Sequence, residues 1–157
     1  MTLDHTSVKR VTAQLQALGA LGEVIALPEA ARTAAQAAEQ LGCDVGAIAN
    51  SLVFNASGAP VLVMTSGAHR VDVRQLAALV EVATVDRADA EFVRKHTGMP
   101  IGGVAPIGHP QPLRTLVDVD LARYQQVWAA AGHPSTVFPT SYDELLRITG
   151  GSAAEVG

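Results

Sequence analysis

The chain has 157 residues, a net charge of −4, and 48% hydrophobic against 17% charged residues, a globular rather than a disordered balance. That length suits a single domain spanning residues 1–157, and folding can bury roughly two-thirds of its unfolded surface. No apolar run approaches the roughly 20 residues of a membrane span, and the acidic balance argues against tight, non-specific nucleic-acid binding, which needs many basic contacts to phosphate.

Thr6 or Ser7 can cap a first helix with Val8, Val11, Leu15 and Leu18 at helical spacing, ended by Gly19 and Gly22. Glu23 to Leu27 reads as a short strand. Thr33 can cap a second helix that stops at Gly42. ANSLVFN and PVLVMTS read as two strands, with Asn55-Ala56-Ser57-Gly58 as the hairpin loop between them. Asp72 can cap a short helix through Leu79, and Val80 to Val85 has the composition of a strand. Asp89 opens a helix that Gly98 closes. Leu113 to Val117 is another strand. From Asp118 or Asp120 the spacing of Leu121, Tyr124, Val127 and Trp128 predicts a helix ending at Gly132. Ser135 to Phe138 reads as a last strand. Ser141 and Glu144 form a capping box before a final helix, and Gly150-Gly151 leads into a tail expected to fray. Mixed strands and helices without a strict βαβ repeat indicate an α+β or mixed α/β class.

The start MTLDHTSVKR lacks the apolar core of a signal peptide, so a cytoplasmic protein is expected, without a membrane partner. Cys43 is the only cysteine, which leaves no internal disulfide and no thiolate cluster for zinc. The five histidines, His5, His69, His96, His109 and His133, form no i, i+4 pair, and no nucleophile elbow or phosphate-loop string occurs. No cofactor is therefore expected. In the strand ANSLVFN, alternation puts Ile48, Asn50, Leu52 and Phe54 on one face. A buried amide without partners costs about 1 to 3 kcal/mol. Asn50 therefore finds partners, borders a pocket, or meets water at an exposed strand end.

The stretch Ile101 to Pro110, IGGVAPIGHP, holds three glycines and two prolines among apolar residues. Gly102 and Gly103 permit positive φ and close approach of backbone to a ligand, and Pro106 and Pro110 stiffen the path. Fixed backbone N–H groups suit a carbonyl oxygen or an anion, the donors that ester hydrolysis uses for a developing oxyanion. A tight structural turn between a helix and a strand is the other reading of the same residues. His109, just after the glycines, is placed to line such a site.

The strings NSLVF, VLVMTSGAHRVD, RADAEFVRKHTG and IGGVAPIGHP occur in this order. With them the chain, from about Thr33 to about Leu146, resembles the YbaK-type proteins and the editing domain inserted in bacterial prolyl-tRNA synthetases. The resemblance implies a compact α+β domain around a mixed, largely antiparallel sheet flanked by helices. It also implies hydrolysis of the ester of a mischarged aminoacyl-tRNA carrying a small amino acid, in trans, with neither a protein nucleophile nor a metal. It implies as well that a ribose hydroxyl of the tRNA assists the water. The partners implied are the 3′ end of an aminoacyl-tRNA, weakly held, and a synthetase.

The family's Gly-x-x-x-Pro motif falls on Gly102, Gly103, Val104, Ala105 and Pro106. By the same resemblance, His133 and Phe138 lie near segments that line the pocket in relatives, beside His109 from the glycine loop, as further substrate-binding candidates. One position departs from the family: Asn50 stands where relatives usually carry a lysine needed for deacylation. The chain's only lysines, Lys9 and Lys95, are distant from it in sequence. Two readings follow. One is a deacylase that uses Asn50, Gly102 and Gly103; the other is a binding module that has lost catalysis. For tRNA contact, Arg70, Arg74, Arg94 and Lys95 are the candidate local patch, against their reading as ordinary solvated charges.

Overall fold

The computed structural model describes residues 2–157. Five helices are present: α1 (Thr6–Ala17), α2 (Ala34–Leu41), α3 (Val73–Leu79), α4 (Ala90–Thr97) and α5 (Tyr142–Thr149). Eight strands join one sheet: β1 (Ile25–Ala26), β2 (Ile48–Ala56), β3 (Ala59–Ser66), β4 (Val85–Arg87), β5 (Arg114–Asp118), β6 (Val127–Ala130), β7 (Thr136–Thr140) and β8 (Ser152–Ala154). The order is β1-β7-β6-β2-β3-β5-β8, with β4 beside the far end of β2. The sheet is mixed: β2–β3, β2–β4, β6–β7 and β1–β7 are antiparallel, while β2–β6, β3–β5 and β5–β8 are parallel. The α+β class and the sheet flanked by helices are as the sequence implies.

Caps set the helix limits. Thr33 accepts from the Gln36 N–H, Asp72 from Arg74 and Gln75, Asp89 from Phe92, and Ser141 from Glu144. Gly42, Gly98 and Gly150 close three of these helices in the left-handed region. The central hairpin turns on Ser57 and Gly58, with φ of 53° and 95°, while Asn55 Oδ1 accepts from the Gly58 N–H at 2.7 Å. Its ladder runs from Ala49↔Ser66 to Ala56↔Ala59.

Strand alternation sorts the core onto two sheet faces. Ala49, Val53, Leu62, Met64 and Val117 face one way and pack with α1, α4, α5 and the loop residues Met99, Val104, Ala105 and Ile107. Phe54, Val61, Val63 and Leu116 face the other way, under α3. Farther along that second face, Ile48 packs with Ala37 and Ala38 of α2. Asn50 lies between these two clusters, so the alternation of β2 is as the sequence predicts.

Five expectations need correction. The first helix is capped by His5, whose Nδ1 accepts from the Ser7 N–H at 3.3 Å, rather than by Thr6 or Ser7. Val80 closes α3 and Glu81 turns with φ of 58°, so the strand lies at Val85–Arg87 rather than Val80 to Val85. The helix expected from Asp118 or Asp120 to Gly132 is a 3-10 turn over Val119–Arg123 followed by β6. Val127 and Ala129 are buried there and β6 pairs with both β2 and β7, so the sheet overrides a helix-like spacing. The expected frayed tail instead supplies β8 alongside β5, with Val156 fully buried. The strand expected over Glu23 to Leu27 shrinks to two residues.

Candidate functional site

A cleft of about 80 Å³ opens on the second face of the sheet, between α2 and the strands. Ile48, Asn50, Trp128, Ala130 and Val137 lie at its strands, and Arg32, Thr33, Ala34 and Ala37 belong to the α2 side. Gly102 and Val104 border it from the loop after α4.

The local geometry of that loop follows from its glycines. Pro100 to Gly103 makes a turn in which Gly102 takes φ of 89° and the Gly103 N–H donates to the Pro100 carbonyl at 2.9 Å. Gly103 lies directly on the turn between β6 and β7. A Cβ there would sit 2.8 Å from the His133 Cα and 2.9 Å from Pro134 Cδ. The Ala105 N–H points away from the cleft, to the Met99 sulfur at 3.3 Å. The N–H groups of Gly102 and Val104 find no acceptor among the described residues. Val104 is only 2% exposed, so its unpaired N–H is costly unless something enters the cleft to accept from it.

Asn50 borders the same cleft, half-buried, and its side-chain amide has no hydrogen-bond partner among the described residues. Along β2 it is an amide in an apolar row, but across the sheet it begins a polar one. Thr65 is its partner on β3, and the Thr65 hydroxyl donates to the buried Asp118 carboxylate of β5 at 3.2 Å. Asp118 also accepts from the backbone N–H groups of Ser66 and Asp120, at 2.9 and 3.0 Å. His69 closes this cluster, its Nε2 against Asp118 and its Nδ1 2.9 Å from Asp120. His69, Asp118 and Asp120 are the one described group whose donor atoms could converge on a metal ion. They lie outside the cleft lining, and the Asp118 oxygens already accept the three bonds named.

The structure thus brings together Asn50, Gly102 and Val104, and sets the other sequence-derived candidates apart. Gly103 engages its N–H in the turn and serves as the loop's point of attachment. Ala105 and Phe138 are wholly buried in the core of the first face. Pro106 and His109 line a different hollow with Gln14, Leu18 and Thr149. The His109 Nε2–H donates to the Ala105 carbonyl at 2.7 Å, and burial lowers its pKa, partly offset by that bond. His133 lies behind Gly103. Its Nδ1 accepts from the Ser135 N–H at 3.0 Å and its ring centroid is 5.4 Å from that of His5. Burial, then the nearby His5, lowers its pKa.

The four basic residues do not form one patch. Arg70 and Arg74 belong to the α3 region on one face, and Arg94 and Lys95 to α4, packed on the other. Sequence reasoning missed Arg32, Trp128 and Thr136 as cleft residues. The Thr33 cap next to Arg32 was visible, but the folding of α2 over β2 was not.

A family model, the aminoacyl-tRNA editing domain, matches residues 28–148. A solved structure described as a candidate trans-editing enzyme for prolyl tRNA synthetase is 39% identical, covers 97% of each chain and superposes with a TM-score of 0.91. The uncharacterized protein YwhH of Bacillus subtilis (strain 168) is 29% identical over 91% of both chains. A proline–tRNA ligase of Elusimicrobium minutum (strain Pei191) is 32% identical over 50% of this chain, which corresponds to 14% of the ligase. No described helix is long and apolar enough to cross a membrane. The chain belongs to the aminoacyl-tRNA editing domain family.

Proposed function

We propose that this editing-domain protein hydrolyses, in trans, the ester between a small amino acid and the terminal ribose of a mischarged tRNA. The observation that carries the reading is the pair of unengaged N–H groups, on Gly102 and Val104, beside the unpartnered amide of Asn50 in one cleft. The ester carbonyl oxygen accepts from Gly102 and Val104. Those donors are fixed before the reaction, so they stabilise charge as it develops on that oxygen without reorganising. Asn50 hydrogen-bonds a ribose oxygen and sets the ester in place. Water, oriented by the free ribose hydroxyl, adds to the carbonyl carbon. The carbon–oxygen bond to the ribose then breaks, and the ribose oxygen takes the proton the water gave up. Free amino acid and deacylated tRNA leave.

Gly103 holds the loop on the His133-Pro134 turn, and Ala105 and Pro106 anchor its far side. His109 and Phe138 support from behind rather than touch the substrate. The cleft volume of about 80 Å³ favours a small side chain, and such a pocket excludes larger residues better than it rejects smaller ones.

The test is a deacylation screen of the pure protein against tRNAs bearing alanine, serine, cysteine and threonine. Release of at least one is expected, and no release from any at high protein concentration would refute the reading. Asn50 in place of a lysine favours a second reading, binding without catalysis. Activity that appears only in Asn50→Lys would establish it.

A further inference from the structure

A tRNA end carries a phosphate on the 5′ side of its terminal nucleoside, and Asn50 brings no charge to meet it. Neither Lys9 nor Lys95 lines the cleft; among the lining residues Arg32 is the only basic one. We infer that Arg32 is the residue that holds this phosphate, supplying from the segment that leads into α2 the positive charge that β2 lacks. The identity of the ligand rests on the deacylase reading.

Three observations carry the assignment. First, the backbone of Arg32 is fixed. Its N–H donates to Gln36 Oε1 at 2.7 Å, and the Gln36 N–H donates to the Thr33 hydroxyl at 3.1 Å, so the first turn of α2 and the residue before it lock each other. Second, the side chain is uncommitted: it is exposed, and its guanidinium has neither hydrogen bond nor carboxylate partner among the described residues. Glu29 and Glu39 share an outer groove with Arg32, yet neither comes within ion-pairing distance. By contrast, Arg147 is tied to Glu144 and to the Leu18 carbonyl, and Arg123 to Asp120. Third, the position suits the ligand. With the ester carbonyl at the loop and the ribose at Asn50, the phosphate leaves toward the open rim, where Arg32 stands. A guanidinium there can take two phosphate oxygens at once.

The test compares binding of the trinucleotide CCA with binding of adenosine, which lacks the phosphate, by titration of wild type, Arg32→Ala and Arg32→Lys. Arg32→Ala should weaken CCA about tenfold and reduce the slope of log affinity against log salt by about 0.7. Adenosine binding should not change, and Arg32→Lys should keep most of the salt slope. Equal CCA affinity in wild type and Arg32→Ala would overturn the inference. So would an equal loss for adenosine, or absence of CCA binding by the wild type. Failure of the deacylation screen is read separately and leaves the CCA comparison intact.

Discussion

Gly103 rests on the backbone of His133 so closely that a Cβ at position 103 would lie 2.8 Å from both the Cα and the carbonyl carbon of His133. Backbone meets backbone, so no flexible side chain can yield. Gly103→Ala should therefore push the loop off the turn between β6 and β7 and move Gly102 and Val104 with it. The expected result is a loss of about 1 to 3 kcal/mol in stability and a fall of at least about tenfold in deacylation, read by chemical denaturation and by amino acid release. Gly102→Ala separates space from conformation. Nothing lies within 4 Å of its Cβ, but its φ of 89° strains any side chain. Its cost should stay near 1 to 2 kcal/mol, roughly the penalty of a left-handed residue, and its effect on release should be smaller than that of Gly103→Ala.

Asn50→Ala removes the amide and leaves the β2 backbone unchanged. One neutral hydrogen bond to the substrate is worth about 1 kcal/mol, so release should fall about five- to tenfold with little change in melting temperature. Asn50→Lys should also lower release if the asparagine works as proposed.

The two histidines behind the loop give a pH dependence. Burial and then His5 lower the pKa of His133 below its ordinary 6.5, and burial lowers that of His109. The fold therefore prefers both rings neutral. The stability due to that preference is complete above pH 6.5 and is lost as pH falls from 6.5 through the lowered folded values. Unfolding midpoints should decline in that window. The decline should shrink in His133→Asn, whose side-chain oxygen can still accept the Ser135 N–H. An identical decline in that variant would remove His133 from the explanation.

The tail is part of the core. Val156 is fully buried, and the Asp72 N–H donates to its carbonyl at 2.7 Å. Val156→Ala should cost about 1 to 3 kcal/mol, measured by denaturant unfolding, whereas a truly frayed tail would give no change.

Local chemistry made most of the fold legible. Thr33, Asp72, Asp89 and Ser141 act as the caps their side chains suggest, and alternation in β2 put Asn50 on the cleft face. The signal failed where the period itself was ambiguous. Leu121, Tyr124, Val127 and Trp128 fit a helix, but Val127 and Trp128 belong to a strand that pairs with both β2 and β7, a long-range contact that local spacing does not report. The site was legible in part. Asn50 and the glycine loop stand out by type and spacing. Arg32 does not, because its place at the cleft depends on how α2 crosses β2, a long-range contact without a local mark. Glycines 102 and 103 look alike in sequence, and only the neighbouring turn distinguishes the one that faces the cleft from the one that attaches the loop.

In the proposed reaction the Gly102 and Val104 N–H groups and the Asn50 amide together hold the aminoacyl end. An amide-resolved NMR titration with the non-hydrolysable 3′-alanylamino analogue of adenosine tests that contact. Shifts are expected at the Gly102 and Val104 N–H and the Asn50 side-chain amide, with Gly103 and Ala105, whose N–H groups are already engaged, moving far less. Saturable binding that leaves those three groups unmoved while residues elsewhere shift would contradict that contact.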